Sequence, residues 1–325
     1  MTDCVFEAWA PSRLHFGLLN ESGVLSRIDG GFGISVCHPH WQLLASSNFE
    51  AHDHAGIEPE LAAALAHAEE STREALGCEM LRIRVVNSVP THVGLGSKTS
   101  LMLLVARVVF HAAGVPFDAP TAAAIVGRGG TSGVGVYASE HGGVIVETGR
   151  SYPRDKSSFG PSSMALARPP KLLGTWGCTL PIIHFRFHEH GIHGAQEREI
   201  FSAECPLPKH EALNSYAILL ASVLSGLIDE DDMTFQQGLS LFQHQGFKSV
   251  EWNAQSAVTR EFRSHWEQSL PDVALNLSSM GPTMFAVTSR TEEVLRCIDS
   301  FRVPPVAIST TTTANGAYVR IKGNA

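Results

Sequence analysis

Residues 89–101, VPTHVGLGSKTSL, place two glycines, a lysine and three hydroxyl side chains between Gly94 and Ser100. The pattern falls short of the G-x-x-x-x-G-K-[ST] phosphate loop. Ser97 separates Gly96 from Lys98, and position 91, five residues before Gly96, is a threonine. Residues 81–87 alternate apolar with polar side chains and predict a half-buried strand, whereas residues 98–113 are almost wholly apolar and predict a core helix ended by Gly114. A strand, a glycine loop and a buried helix in that order turn the helix's free amides and its positive dipole end onto the loop, where an anion is favoured. Phosphate or pyrophosphate is the expected ligand. Gly94, Gly96, Ser97, Lys98, Thr99 and Ser100 are the candidates to hold it.

Further clusters carry similar chemistry. Residues 127–135, GRGGTSGVG, surround Arg128 with glycines and hydroxyls, so Gly129, Gly130, Thr131 and Ser132 could let a ligand approach the backbone. Near the N-terminus, Arg13 and His15 precede Gly17, and Asp29, Gly30 and Gly31 follow Arg27. Residues 277–283, LSSMGPT, put Gly281 and Thr283 in a polar turn between two strands. The histidine-rich run 184–193 ends in His193 and Gly194 but lacks the H-E-x-x-H zinc signature, because Ile192 occupies the second histidine's place. One or two of these histidines are expected near a substrate carboxylate or phosphate. No Ser-His-Asp or Cys-His arrangement is evident, so no covalent nucleophile is expected.

The elements that must carry these groups follow from composition and periodicity. A chain of 325 residues with 44% apolar and 17% charged residues reads as a globular protein, with two domains more natural than one. The net charge of −8 argues against nucleic acid, which needs clustered cations, but leaves room for a few cations lining a cleft. Six cysteines without a C-x-x-C pair read as reduced thiols. With no signal-like N-terminus and no uninterrupted apolar run of bilayer length, a cytoplasmic enzyme without a membrane span is expected. The first 55 or so residues read as short strands and turns, with residues 30–33 as a turn. A helix is predicted over residues 59–76, capped by Gly77, and a strand over 142–148. Residues 150–170, rich in Ser, Pro and Arg, read as a domain boundary or long loop, giving domains at 1–165 and 166–325. Beyond it a strand is expected near 179–187, helices at 209–228, 234–243 and 257–268, a strand pair at 273–288, a helix at 291–301 and two closing strands. This mixed order predicts an α+β protein.

The loop P-x-x-x-G-L-G-S-x-x-S, from Pro90 to Ser100, resembles the phosphate loop of the GHMP kinase superfamily, and the turn around Gly281 resembles that superfamily's late glycine motif. The resemblance covers nearly the whole chain. It implies an N-terminal ribosomal-protein-S5-like domain with a left-handed β-α-β element and a C-terminal ferredoxin-like domain. Those kinases carry a catalytic Asp in S-G-V-D, where this chain has Ser132-Gly-Val-Gly135. Gly135 can neither accept a proton nor orient a hydroxyl, so phosphoryl transfer by that route is lost. Four motifs resemble instead the non-kinase branch of β-ribofuranosylaminobenzene 5′-phosphate synthases: residues 128–135, Glu140 with Gly142-Gly143, Gly191 to Gly194, and the Met280-Gly-Pro-Thr283 turn. The G-L-G-S-K-T-S loop is more similar to relatives that form C-nucleoside antibiotics of the formycin and pyrazofurin type.

That resemblance implies a decarboxylative C-glycosyl transfer from phosphoribosyl pyrophosphate to a pyrazole carboxylate, releasing CO₂ and pyrophosphate with Mg²⁺ as cofactor. Two other readings stay open: the methanopterin-type synthase, with 4-aminobenzoate or 4-hydroxybenzoate as acceptor, and a non-catalytic phosphosugar-binding member of the fold. A homodimer is compatible with either. Lys98, Arg128 and His193 are the candidate catalytic groups. Arg13, His15, Asp29, Gly30, Gly31, the loop residues, Gly129 to Ser132, Gly194, Gly281 and Thr283 are the candidate substrate contacts. Asp29 and Glu140 are the candidate metal ligands.

Overall fold

The computed structural model describes residues 4–53, 57–160 and 168–324. Its N-terminal residues are not short strands and turns. Two long strands, β1 (Cys4–Asn20) and β2 (Arg27–Ser46), pair antiparallel from Phe6 opposite Ala45 to Asn20 opposite Asp29. Both faces are covered over most of β1's second half and β2's first half, so the period-2 alternation that would announce a strand is missing there. Residues 30–33 lie inside β2 and form no turn. Asp29 and Gly30, at φ of 60° and 78°, kink the strand, and Gly31 leaves room for the His15 ring, which a methyl would meet at 3.2 Å.

The next elements are α1 (Pro59–Leu76), β3 (Arg82–Asn87), α2 (Ser97–Ala112), α3 (Ala119–Ile125), α4 (Val134–His141), β4 (Val144–Glu147), β5 (Arg150–Ser151) and β6 (Leu172–Trp176). Gly77 takes the left-handed cap position after α1, as its sequence predicts. The second glycine cluster is only half a loop, because α4 begins at Val134 and takes Gly135 into its first turn. Helix α2 has eleven buried residues, including Leu101 to Ala106 without interruption; that core packing makes it a fixed platform for the loop before it.

Next come β7 (Ile182–Arg186), α5 (Gly194–Glu204), α6 (Lys209–Ile218), a π-helical segment (Leu219–Leu224) and α7 (Ser225–Ile228). They are followed by α8 (Asp232–Phe242), α9 (Gly246–Asn253), α10 (Ala257–Ser269), β8 (Asn276–Leu277), β9 (Met284–Val287), α11 (Thr291–Asp299), β10 (Ala307–Thr311) and β11 (Tyr318–Asn324). The stretch Lys209–Ile228, at mean hydropathy 1.5, is long and apolar enough to cross a bilayer by composition, contrary to the expectation of no such run. Within it, 33% of an 18-residue window is buried in the fold, through residues such as Leu219, Val223 and Leu224.

A seven-stranded sheet runs β11-β1-β2-β4-β6, with β3 and β5 also pairing with β2, and a separate four-stranded sheet runs β10-β7-β9-β8. Each pair in the second sheet is antiparallel, and its strand order with α11 between β9 and β10 is the expected ferredoxin-like arrangement. The α+β fold class holds. A division between residues 165 and 166 does not follow the sheets, however: β6 pairs with β4 and β11 with β1, so both belong to the first sheet. Of the loop expected over residues 150–170, residues 161–167 lie outside the described residues. Before them, Arg150–Ser151 pairs with β2 and Lys156 is buried.

Candidate phosphate-binding cleft

The loop before α2 is held by three segments distant in sequence. Gly96 sits in the left-handed region at φ 70° and begins α2 without any side chain capping the first turn. The first amides are thus left free of side-chain acceptors. The Arg13 guanidinium packs under Gly96, donates from Nη1 to the Gly94 carbonyl at 2.5 Å, and its main-chain amide donates to Leu95 O at 3.1 Å. Ser278 Oγ donates to the same Gly94 carbonyl at 2.6 Å, and the Gly191 amide donates to His92 O at 2.7 Å. Gly94 and Gly281 touch backbone to backbone, so a methyl on Gly281 would collide with Gly94.

A cleft of about 200 Å³ opens over this loop. Arg13, Lys98 and Arg128 face it together with Gly94, Gly96, Ser97, Thr99, Gly129, Ser132, His193 and Gly281. Arg128 donates from Nε and Nη2 to Thr99 Oγ1 at 3.0 and 2.8 Å, tying the second glycine cluster to the first turn of α2. Lys98 reaches outward, where its Nζ donates to Glu60 Oε1 at 3.0 Å, while Glu60 Oε2 lies 2.8 Å from His92 Nε2. His92 in turn stacks on His193 with ring centroids 3.9 Å apart. Burial lowers the Arg13 guanidinium to about 10, partly offset by Glu251, and it stays charged at neutral pH. Burial lowers the Arg128 guanidinium as well. Three cations and an uncapped helix N-terminus around one small cleft are the chemistry that favours a polyanion, which makes it the candidate site for one.

Residues 61–143 match the GHMP kinases N terminal domain family. A Beta-ribofuranosylphenol 5′-phosphate synthase of Methanothermobacter thermautotrophicus is 34% identical, the match covering 86% of this chain and 87% of that protein. The chain belongs to the β-ribofuranosylphenol 5′-phosphate synthase family. The synthase of the same name from Archaeoglobus fulgidus is 32% identical over 86% of each chain. A mevalonate kinase structure covers 95% of this chain and is itself covered to 99%, at a TM-score of 0.67 and 10% identity; that likeness shows the shared fold. The β-ribofuranosylphenol 5′-phosphate synthase relatives overturn the expectation of a C-nucleoside-forming, pyrazole-using subgroup drawn from the G-L-G-S-K-T-S loop. Lys98 within that loop therefore does not mark an antibiotic pathway.

In this family member several residues singled out from sequence lie outside the cleft. His15 sits behind it, buried, with Nε2 3.1 Å from Ser132 Oγ; burial, then Arg13 and Lys248, push its pKa well below the usual histidine value, so it is neutral. It supports Ser132 and holds no anion as a cation. Asp29 is not a cleft ligand: it is fully buried and pairs with Lys156 at 2.7 Å. Glu140, on α4, is taken by Arg107. Neither presents an open carboxylate to a metal. Gly30 and Gly31 lie in β2, away from the lining. Ser100 donates to Pro11 O at 2.6 Å and Thr131 to Gly160 O at 2.6 Å, both buried structural bonds. Gly130 gives its carbonyl to Arg150, Gly194 opens α5, and Thr283 O accepts the Ser278 amide.

Sequence reasoning missed Glu197. It lies in the first turn of α5 and lines the cleft, and its carboxyl is raised to about 7, by burial first and by Glu251, against the opposing pull of His193 and Arg13. The available signal was its position three residues after Gly194, but α5 buries only Phe201 among its residues and so lacks an amphipathic stripe.

Proposed function

We propose that the protein transfers the 5-phosphoribosyl group of phosphoribosyl pyrophosphate to the ring carbon of a para-substituted benzoate, 4-hydroxybenzoate or 4-aminobenzoate, with loss of pyrophosphate and CO₂. The observation that carries this reading is the cleft itself: Arg13, Lys98, Arg128 and an uncapped helix N-terminus converge where Gly135 stands in place of a carboxylate. Such a site can bind a diphosphate and favour its departure, since charge grows on the leaving group as the C1–O bond breaks. It cannot deprotonate an alcohol at Gly135 for phosphoryl transfer. The ring carbon bearing the carboxylate attacks C1 of the sugar, and loss of CO₂ returns the bonding pair to the ring and restores aromaticity. A Mg²⁺ ion bound to the pyrophosphate would supply further charge neutralisation to the leaving group. The relatives' name, a ribofuranosylphenol phosphate synthase, supports a phenolic product.

The test is direct. Incubation with phosphoribosyl pyrophosphate, Mg²⁺ and each benzoate should release CO₂ and pyrophosphate in equal amounts. Pyrophosphate release without CO₂, or no release with either acceptor, overturns the reading.

A further inference from the structure

The two carboxylates considered as metal ligands, and the one at the mouth of the cleft, each already have a cation. Asp29 faces Lys156, Glu140 faces Arg107, and Glu60, at the mouth, bridges Lys98 and His92. Glu197 differs. It lines the cleft beside Arg13 and His193, yet its side chain makes no hydrogen bond or ion pair among the described residues. In its ionised form such a carboxyl repels a bound polyanion unless a cation comes between them. Among the described residues no group of three or more His, Cys, Asp or Glu could hold a metal by itself. Magnesium does not need one: it is commonly bound by one or two carboxylates together with substrate phosphates and retained waters.

Building on the phosphoribosyl-transfer reading, we propose that Glu197 is the protein's ligand for the magnesium ion of the magnesium–pyrophosphate group. The metal then enters with the substrate instead of residing in the protein. Glu197 would hold the ion from α5, and Arg13, Arg128 and the α2 amides would hold the phosphate oxygens. Since α5 follows β7 and α2 follows β3, the ion would link two elements that share no strand.

Calorimetric titration of the full-length protein with inorganic pyrophosphate, with and without Mg²⁺, tests this apart from turnover. In the parent, Mg²⁺ should tighten pyrophosphate binding by at least about tenfold. Glu197→Gln should bind metal-free pyrophosphate as well as the parent or better, because a negative charge is gone, and should lose most of the gain from Mg²⁺. Glu197→Asp should recover part of that gain, and both variants should melt with the parent. An undiminished magnesium effect in Glu197→Gln overturns the proposal. A parent that binds pyrophosphate equally with and without Mg²⁺ also overturns it, while leaving the phosphoribosyl reading intact. Failure of the parent to bind pyrophosphate in either condition sinks both.

Discussion

Lys98 is held at the mouth of the cleft by a carboxylate that a bound pyrophosphate would have to replace. Its Nζ lies 3.0 Å from Glu60, with the two side chains 40% and 45% exposed, so the pair is solvent-screened. Exposed pairs of this kind contribute up to about 1 kcal/mol. Glu60 is itself stabilised as a carboxylate, with a lowered pKa, by His92 first and Lys98 second. A charge-assisted hydrogen bond from Lys98 to a phosphate oxygen is worth about 1.5–3 kcal/mol. The swing from Glu60 to pyrophosphate therefore gains roughly 1–2 kcal/mol net. Lys98→Ala should weaken pyrophosphate binding by about 5- to 30-fold and lower turnover further, because the leaving group carries more charge in the transition state. Glu60→Gln should act in the opposite direction. With its competitor neutralised, Lys98 should bind pyrophosphate up to about fivefold more tightly, an advantage that shrinks as salt is raised. Titration calorimetry at low and high ionic strength reads both effects. Weaker binding by Glu60→Gln, or unchanged binding by Lys98→Ala, would refute the reasoning and leave the lysine in solvent.

Other consequences are equally open to measurement. Arg128→Lys keeps the charge but loses the two-nitrogen grip on Thr99; kcat/KM should fall about tenfold or more, equivalent to about 1.4 kcal/mol, with little change in Tm. Full activity, or a large drop in Tm, would make Arg128 structural. Glu147, buried, is raised to about 8, by burial first, although the Gly149 and Gly133 amides pull the other way. A carboxyl whose folded pKa exceeds its unfolded one gives stability that is complete below the unfolded value and lost as pH rises through the folded value. The Tm difference of Glu147→Gln relative to the parent should therefore shift in the variant's favour by at least about 2 °C between weakly acidic pH and pH above 8; a pH-independent difference contradicts this. With Gly135 at the start of α4, ATP and mevalonate, homoserine or galactose should yield no ADP, as followed in a coupled assay.

The glycine loop was legible in the sequence because its signal is local: the alternating residues 81–87, the glycines of 94–100 and the apolar run after them specify a strand–loop–helix unit by themselves. Helix α1 and its Gly77 cap were legible for the same reason. The long hairpin was not, because burial on both faces erases alternation and the glycines of β2 imitate a turn. Nor could spacing tell a cleft residue from a buried one. Asp29 and Glu140 have the right chemistry, but their partners Lys156 and Arg107 lie 127 and 33 residues away in sequence. Glu197 was hidden in the opposite way, since the polar helix that carries it gives almost no periodic signal.

The contact of Gly94 with Gly281, the bond from Gly191 to His92 and the stack of His92 on His193 join segments on opposite sides of the chain's midpoint. The pocket is therefore a seam, created only when the two sheets have docked. A ligand in it would act as a brace across that seam. By linkage, a bound pyrophosphate should stabilise both layers at once and favour their unfolding in a single transition, whereas a ligand confined to one layer would stabilise that layer alone.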